Sequence, residues 1–251
     1  MFAEERQNAI RKIVREHRRL GFSELQEMVK VSPATLRRDL TDLEKSGDIL
    51  RVHGGVLDPR YVRSEVSFDE RLLRNRSAKR SIAEAAAALI PPGACVFIDA
   101  GSTCLEAGKM LLRRKDVRII SHSVALTALS LQGDAEFLCL GGELRRVSGA
   151  LIGAEAIGAL AHLKADYAFL GASGLDAEGC FTTELTEAEM KRAILARSKR
   201  SILLADFSKW SQPSTVRFAG WDMIHEWVTN AEPEKREVRA LVKAGVRLRK
   251  A

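Results

Sequence analysis

The feature that most constrains this chain is a short predicted helix, residues 33–45, whose two ends are both marked. Ser32 is suited to cap its N-terminus, and Pro33 fits the first helical position, where a missing N–H costs nothing. Gly47 is expected to end it in a left-handed conformation. Three leucines spaced by four and three residues predict one buried face. They are Leu36, Leu40 and Leu43.

The opposite face of this helix carries small polar residues and two arginines. These outward residues are Thr35, Arg37, Arg38 and Thr41. An exposed helix start of this composition suits the major groove of DNA. A surface helix with solvated charges fits this segment taken alone equally well, so the flanking sequence decides between the two.

The flanks of this helix predict a winged helix-turn-helix. Residues 4–19 have helical periodicity, and Ser23 with Gln26 predicts a capping box for a second helix over 24–29. About three residues join that helix to the next, the spacing of a helix-turn-helix. Residues 48–55 predict a short hairpin, or wing, with Arg51 and His53 placed to reach the phosphate backbone.

The charge of the chain allows nucleic-acid binding but does not demonstrate it. Net charge is +7 over 251 residues, yet residues 1–60 hold 12 basic and 10 acidic side chains. DNA binding is therefore argued from where charges lie and not from their sum. A hydrophobic fraction of 46% predicts a packed globular protein.

The cysteines and the apolar segments exclude several classes of protein. The four cysteines, Cys95, Cys104, Cys139 and Cys180, are far apart and form no CxxC pair, so we expect reduced thiols, no metal site and no cofactor. The N-terminus lacks a signal-peptide pattern, and the longest apolar run, 82–92, contains Glu84 and is too short to span a bilayer. We expect a cytoplasmic protein without membrane contact.

The domain prediction places the winged helix at 1–57, a linker at 58–77 and a second domain at 78–251. A solvated connector running into a helix that ends near Ile90 is favoured for the basic stretch 56–80. The alternative is a segment that relays ligand state to the DNA-binding domain.

Beyond Gly93, short apolar runs alternate with helical patterns, which predicts a parallel α/β sheet. The predicted strands are 95–99, 117–120, 137–140, 167–170, 201–205 and 227–229. The fold class is thus α+β overall, with an α/β second domain.

Glycine, serine and threonine cluster directly after several predicted strands, at what must be one edge of the sheet. Ligands of open α/β sheets bind at that edge. Gly101, Ser102 and Thr103 are the best candidates for a phosphate cradle at a helix N-terminus, and Ser121 and Ser123 offer hydroxyls in the next loop. Any one of these loops alone is more often structural, but several on one edge favour a site.

These motifs resemble the DeoR family of bacterial sugar-responsive transcription regulators. The N-terminal resemblance spans Val31-Ser32-x-x-Thr35-Leu36-Arg37-Arg38-Asp39-Leu40 through His53-Gly54-Gly55. The second domain matches at Phe97-Ile98-Asp99-x-Gly101-Ser102-Thr103, Gly141-Gly142-Glu143, Gly171-x-Ser173-Gly174-Leu175-Asp176, Glu187 to Ala193 and Ala205-Asp206-x-Ser208-Lys209. The resemblance implies a sensor domain similar to ribose-5-phosphate isomerase that binds phosphorylated sugars.

The candidate site residues form two groups. The candidate DNA contacts are Ser32, Thr35, Arg37, Arg38, Thr41, Arg51 and His53. The resemblance, with the strand-end loops, gives these candidate effector contacts: Asp99, Gly101, Ser102, Thr103, Ser121, His122, Ser123, Gly141, Gly142, Gly171, Ser173, Gly174, Asp176, Glu189, Lys191 and Lys209. It implies that Gly101, Ser102 and Thr103 hold the phosphate and that Asp176, Glu189 and Lys209 face the sugar.

Three departures from the family pattern leave the effector open. Ser121-His122-Ser123 replaces the usual Thr-Asn-Ser, Lys209-Trp210-Ser211 replaces Lys-Phe-Gly, and Asn230 replaces an acidic residue. His122 could sense pH or contact a phosphate, but a loop histidine with its partners inside the protein is favoured.

The main hypothesis is a repressor of carbohydrate-metabolism genes that binds a double-stranded DNA operator and is controlled by a phosphorylated sugar. The rival is a sugar-phosphate isomerase, since Asp176, Glu189 and Lys209 supply an acid, a base and a cation. The fused DNA-binding domain favours a regulator that is not an enzyme. A third possibility, an oligomerising adaptor, leaves the glycine-rich edge unexplained. Paired operator half-sites predict a homo-oligomer, either a dimer or a tetramer.

Overall fold

The computed structural model of the chain divides into two compact units, Met1–Glu65 and Val66–Ala251. It describes residues 3–17, 19–52, 55–58, 66–212, 214–231, 241 and 245–251. Because the second unit begins at Val66, most of the stretch predicted as a linker belongs to it.

The first unit is a winged helix-turn-helix. Its helices are α1 (Ala3–His17), α2 (Phe22–Val29) and α3 (Pro33–Lys45), and its strands are β1 (Arg19–Gly21), β2 (Leu50–Val52) and β3 (Gly55–Leu57). The strands form an antiparallel sheet in the order β1-β3-β2. The three leucines of α3 are buried with Ile10, Val14 and Leu25, as the periodicity predicts.

The two ends of α3 form as predicted, but the start of α2 does not. Ser32 Oγ accepts the Thr35 amide at 3.2 Å, and Gly47 has φ +75°. Helix α2 begins at Phe22, one residue before the predicted cap at Ser23. Its first turn is instead closed by the Gly21 amide, which donates to the Glu24 carboxylate at 2.8 Å. The predicted Ser23–Gln26 box is wrong because the helix starts earlier, which places Glu24 at the third helical position.

The second unit is built on a parallel sheet, whose described strands lie in the order β15-β14-β12-β9-β4-β5-β6. Its strands are β4 (Cys95–Ile98), β5 (Arg118–Ser121), β6 (Glu136–Cys139), β9 (Ala165–Leu170), β12 (Ser198–Leu204), β14 (Glu226–Thr229) and β15 (Arg247–Lys250). All neighbouring pairs among them are parallel. Each of the six predicted strands is confirmed within a few residues.

Helices cover this sheet, and two small antiparallel elements extend it. The helices are α4 (Phe68–Leu73), α5 (Arg76–Ala87), α6 (Ser102–Leu111), α7 (Val124–Ser130), α8 (Ala154–Ala161) and α9 (Leu185–Ala196). The hairpin strands β7 (Glu143–Arg145) and β8 (Ala150–Ile152) pair with each other, and β10 (Gly174–Asp176), β11 (Gly179–Thr182) and β13 (Val216–Ala219) form a second small sheet.

The strand order places a switch point beside β4. The chain continues from β4 to β5 and β6 on one side, whereas β9 and β12 lie on the other. In open α/β sheets ligands bind outside the carboxyl ends of the strands at such a point. The residues that follow β4 and β9 are Asp99 and Gly171, two of the predicted site residues.

The helix predicted to run to Ile90 is α5, which ends at Ala87, and a further helix, α4, lies within the predicted linker. Asn75, with φ +49°, separates α4 from α5. Helix α4 packs against α6 and is buried at Phe68, whose amide donates to the Val147 carbonyl at 2.8 Å. Residues 68–77, predicted as a linker, are therefore folded onto the second unit.

No helix among the described residues is long and apolar enough to cross a membrane. The described part of the chain holds no cluster of histidine, cysteine and carboxylate side chains that could bind a metal ion. All four cysteines are free thiols.

Candidate functional site

The candidate DNA-binding surface is the outer face of α3 with the adjoining wing. Ser32, Arg37 and Arg38 are exposed, and Thr35 and Thr41 are half-buried. The Arg37 guanidinium lies 5.4 Å from the centroid of the Phe22 ring. Thr41 Oγ1 donates to the Arg37 carbonyl at 2.8 Å and accepts from Arg51 Nη1 at 3.4 Å. The polar groups of the helix and of the wing thus lie side by side on one surface. His53 lies outside the described residues.

A buried ion pair fixes the recognition helix to the first helix of this unit. Asp39 is on the inner face of α3 and is 2% exposed. Arg6 on α1 binds its carboxylate through two nitrogens, Nε at 2.5 Å and Nη2 at 2.9 Å. Sequence reasoning did not single out this pair, because the partners are 33 residues apart and either charge could have been solvated. Because the two hydrogen bonds of a guanidinium to a carboxylate are directional, this pair fixes the orientation of α3 relative to α1.

The centre of the second candidate site is the buried carboxylate of Asp99, directly after β4. Asp99 Oδ2 accepts the Gly171 amide at 2.9 Å and also accepts from the Lys191 ammonium. Lys191 donates further to the Gly171 carbonyl at 3.1 Å. Burial alone would raise the pKa of Asp99, but the charge of Lys191 outweighs burial and, with His122 beside the carboxylate, holds that pKa well below its ordinary value. Asp99 is therefore ionised, and its carboxylate holds the loop after β9 and Lys191 of α9 at the switch point.

His122 is buried, and both of its ring nitrogens have partners inside the protein. Nδ1 lies 3.0 Å from the Leu151 carbonyl, which can only accept, so we assign a proton to Nδ1. Nε2 lies 3.2 Å from the Ala100 amide nitrogen and 3.2 Å from Asp99 Oδ1. This arrangement favours the structural interpretation of His122, in which it ties the loop after β5 to the loop after β4.

Ser121 and Ser123 are also engaged within the protein. Ser121 Oγ donates to the Ile98 carbonyl at 2.7 Å and accepts the Ser123 amide at 3.1 Å. Ser123 Oγ caps α7 by accepting the Leu126 amide at 3.2 Å. Their hydroxyls therefore brace the loop and leave ligand contact to other groups.

Ser102 and Thr103 differ from these two serines. They lie in the first turn of α6 and are 7% and 8% exposed, and their hydroxyls have no hydrogen-bond partner among the described residues. The amides of a first helical turn also lack acceptors within their helix. Gly101 precedes this turn, and its Cα lies close to Gly171. Uncommitted donors at a helix N-terminus favour an anion such as phosphate.

Helix α9 presents a different acidic residue from the predicted one. Lys191 and Glu187, one turn apart, are buried, whereas Glu189 is exposed. Glu187 accepts from Thr182 Oγ1 and from Arg145 Nη1, each at 3.0 Å. The structure therefore does not bring Glu189 to Asp99, and sequence reasoning missed Glu187. The four-residue spacing to Lys191 was the available signal.

Asp176 lies outside the Asp99 network. Its Oδ1 accepts the amides of Glu178 at 2.7 Å and Gly179 at 3.2 Å, and so closes the turn between β10 and β11. Ser173 and Gly174 lead into the same small sheet. Gly141 and Gly142 follow β6, two strands away from β4. The structure thus groups Asp99, Gly101, Ser102, Thr103, His122, Gly171 and Lys191, whereas Asp176, Glu189, Gly141 and Gly142 lie outside this group.

Lys209 lies in a short 3-10 turn after β12, at the family departure Lys209-Trp210-Ser211. Trp210 packs in an aromatic cluster with Phe207, Trp221 and Trp227. Ser211 takes φ +57°, a left-handed conformation in the position where the family usually has glycine. Asn230 Oδ1 accepts the Phe207 amide at 2.9 Å and so positions this turn.

Two family models together cover most of the chain. The DeoR-like helix-turn-helix domain matches residues 6–59, and the DeoR C terminal sensor domain matches residues 74–231. The chain belongs to the DeoR family. The family assignment predicted from the sequence is therefore confirmed, and the observed fold confirms the predicted winged helix-turn-helix and α/β domain.

Curated relatives of this DeoR-family protein align over nearly their whole length. The uncharacterized HTH-type transcriptional regulator FruR of Bacillus subtilis is 33% identical, with 88% of each chain covered. The glycerol-3-phosphate regulon repressor of Escherichia coli is 31% identical over 91% of each chain. The HTH-type transcriptional repressor GlcR of Bacillus subtilis is 31% identical, over 99% of this chain and 96% of the relative.

Solved structures resemble the chain only loosely. A D-ribose-5-phosphate isomerase in complex with phospho-erythronic acid is 18% identical with a TM-score of 0.41, over 54% of each chain. The Pyrococcus horikoshii translation initiation factor eIF-2B is 18% identical with a TM-score of 0.44, over 90% of this chain and 86% of that one.

Proposed function

We propose that this protein is a repressor of carbohydrate-metabolism genes whose affinity for its operator is controlled by a phosphorylated sugar. The observation that carries the proposal is the first turn of α6, where Ser102 and Thr103 offer unpartnered hydroxyls beside the switch point. A buried helix start without an acceptor is suited to a phosphate group. The names of two relatives, a glycerol-3-phosphate regulon repressor and the repressor GlcR, support a regulator of this kind.

In this proposal Asp99 and Lys191 hold the ligand-binding loops and do not themselves take up the phosphate. Both oxygens of Asp99 already lie within hydrogen-bond distance of protein groups. The phosphate binds at the Ser102 and Thr103 turn, and the sugar extends from there across the ends of the neighbouring strands. Ser121, His122 and Ser123 act indirectly by fixing the loop beside that turn.

We further propose that the second unit binds its ligand without turnover. The isomerase alternative requires Asp176, Glu189 and Lys209 around one carbon–oxygen unit of the substrate. Asp176 instead closes its own hairpin turn, and Glu189 is exposed on the side of α9 away from Lys191. This separation favours a sensor. Binding to paired half-sites further requires a homo-oligomer, a dimer or a tetramer.

For DNA recognition we expect Arg37 and Arg38 to be the main side-chain contacts. Operator duplexes are first isolated from a randomised library by selection on the full chain. Arg37→Ala and Arg38→Ala should each weaken binding by about 1–3 kcal/mol in a fluorescence-anisotropy titration, because an arginine contact to a base or phosphate is lost. Loss at a base relaxes the sequence preference, whereas loss at a phosphate weakens all duplexes alike.

The matched control for these variants is Lys12→Ala, which removes an exposed positive charge from α1. It should bind the selected duplex within about twofold of the unmodified protein, because one solvated charge outside the groove adds little. The assignment of α3 as the reading helix is wrong if both arginine variants bind as tightly as this control.

A further inference from the structure

The guanidinium of Arg71 on α4 is buried without a complete set of partners. Its Nε and Nη2 atoms have essentially no solvent exposure and donate to no acceptor among the described residues. The group lies 5.8 Å from the centroid of the Phe68 ring, a contact that leaves its N–H groups unused. A buried donor that forms no hydrogen bond is costly and calls for an explanation.

Lys209 is a second cation beside Arg71 that lacks a direct partner. It is half-buried, and within the described residues no carboxylate comes within 4 Å of its Nζ. Burial lowers the pKa of its ammonium, and the positive charges of Arg71 and Arg74 lower it further against the opposing effect of Asp206. The Asp206 carboxylate is shared with Asn75 and Ser208, which hydrogen bond to its Oδ1.

Lys79 adds a third positive charge to the same cluster. It is 5% exposed, and its ammonium donates to the carbonyls of Arg71 and Arg74, which are neutral acceptors. Burial, together with Lys209 and Arg71, lowers the pKa of Lys79 to about 8, although Asp206 and Glu106 act in the opposite direction. The cluster therefore contains more cationic than carboxylate side chains, and it is largely shielded from solvent.

The cluster lies near α6, the helix whose first turn holds Ser102 and Thr103. Helix α4 packs against α6, and Glu106, which acts on Lys79, is four residues beyond Ser102 on the same face of α6. The fork of an arginine matches two oxygens of a phosphate, and a lysine adds a movable positive charge. A doubly charged phosphate would satisfy the donors that the protein leaves free.

We propose that Arg71 and Lys209 bind the phosphate of the effector together with Ser102 and Thr103. This inference rests on the proposed function and adds to it a residue of α4, the first helix of the second unit after the segment that joins the two units. Ligand occupancy then acts directly on the start of the sensor unit. A ligand that contacts α4 in only one arrangement shifts the equilibrium between arrangements by its difference in affinity.

The test uses the full chain with inorganic phosphate as the probe and chloride at matched ionic strength as the reference. All three tryptophans of the sequence pack together in the aromatic cluster that contains Trp210, so their fluorescence reports on the Lys209 turn. We expect a saturable fluorescence change with phosphate, and at least about a tenfold loss of affinity in Arg71→Met and in Lys209→Met. The exposed Arg113 provides the control variant Arg113→Met, which should bind phosphate like the unmodified protein.

Melting temperature separates a binding role from a structural one. Because the cations are uncompensated without ligand, each methionine variant should melt at a higher temperature than the unmodified protein in phosphate-free buffer. Residues that served only the fold would give lower melting temperatures, which would overturn the proposal. Phosphate affinity within twofold of the control in both variants, or no saturable response in the unmodified protein, would also overturn it.

The experiments distinguish a failure of this inference from a failure of the proposed function. If a sugar phosphate alters operator binding but phosphate affinity does not depend on Arg71 and Lys209, this inference fails and the regulatory proposal stands. If phosphate affinity depends on both residues but no phosphorylated sugar alters operator binding, the anion site stands and the regulatory proposal fails.

Discussion

Replacing Lys191 by methionine is expected to lower the free energy of unfolding of the second unit by about 3–5 kcal/mol, since it leaves a buried charge without its partner. Lys191 is 6% exposed and Asp99 is 3% exposed, so water cannot replace the missing ammonium without a rearrangement of the loops. The Gly171 carbonyl would lose a hydrogen bond in the same variant. Urea denaturation followed by circular dichroism measures the change.

The double variant Asp99→Asn with Lys191→Met tests the cause of this loss. An asparagine at 99 can still accept the Gly171 amide but carries no charge, so the double variant should be more stable than Lys191→Met alone. The matched single control is Lys199→Met, whose exposed ammonium pairs with Asp166 at 2.8 Å and should contribute little to stability. Equal stability losses for Lys191→Met and Lys199→Met would refute the electrostatic account of the switch point.

Replacing Gly55 by alanine is expected to abolish operator binding while leaving the second unit folded. A Cβ at Gly55 would lie 2.2 Å from the carbonyl oxygen of Leu20, so β1 and β3 could not keep their pairing. Overpacking against backbone costs about 3 kcal/mol, and a unit of 65 residues has only about 3–10 kcal/mol of stability. The loss of the wing therefore removes much of what holds α3 in place.

Gly47→Ala is the comparison variant within the same unit. Gly47 also has a conformation that favours glycine, with φ +75°, but a Cβ there meets nothing within 4 Å. We expect it to cost about 1 kcal/mol and to retain operator binding. If Gly55→Ala binds the selected duplex as well as Gly47→Ala does, the strand pairing of the wing is not as described.

Local patterns in the sequence were sufficient to predict most elements of both units. The leucine spacing and the caps of α3 act within one helix, and the short apolar runs after Gly93 alternate with helical patterns, which favours strands. The hairpin of β7 and β8 was missed because its strands are short and half exposed. Helix α4 was missed because it lies within the stretch predicted as a linker, and the turn at Asn75 that follows it is held by hydrogen bonds to Asp206 and Ser208, 131 and 133 residues away.

The candidate site was predicted at its position in the fold but not in all its side chains. Strand-end loops identify the edge of the sheet, and this brought Asp99, Ser102 and Thr103 into the prediction. Which carboxylate of α9 turns inward depends on the rotation of that helix, and packing of Met190 and Ile194 sets this rotation. The Arg6–Asp39 and Lys191–Asp99 pairs join residues 33 and 92 positions apart, and such pairings cannot be derived from one sequence.

The most direct test of the central claim measures operator affinity of the full chain in the presence of phosphorylated sugars. Fluorescence anisotropy with the selected duplex is recorded against a panel of aldose and ketose phosphates and the same sugars without phosphate. We predict that at least one phosphorylated sugar changes the dissociation constant by fivefold or more, and that its unphosphorylated form does not. Ser102→Ala combined with Thr103→Ala should remove this response and keep DNA binding. Operator binding that no phosphorylated sugar alters, or that the unphosphorylated sugars alter equally, would contradict the account.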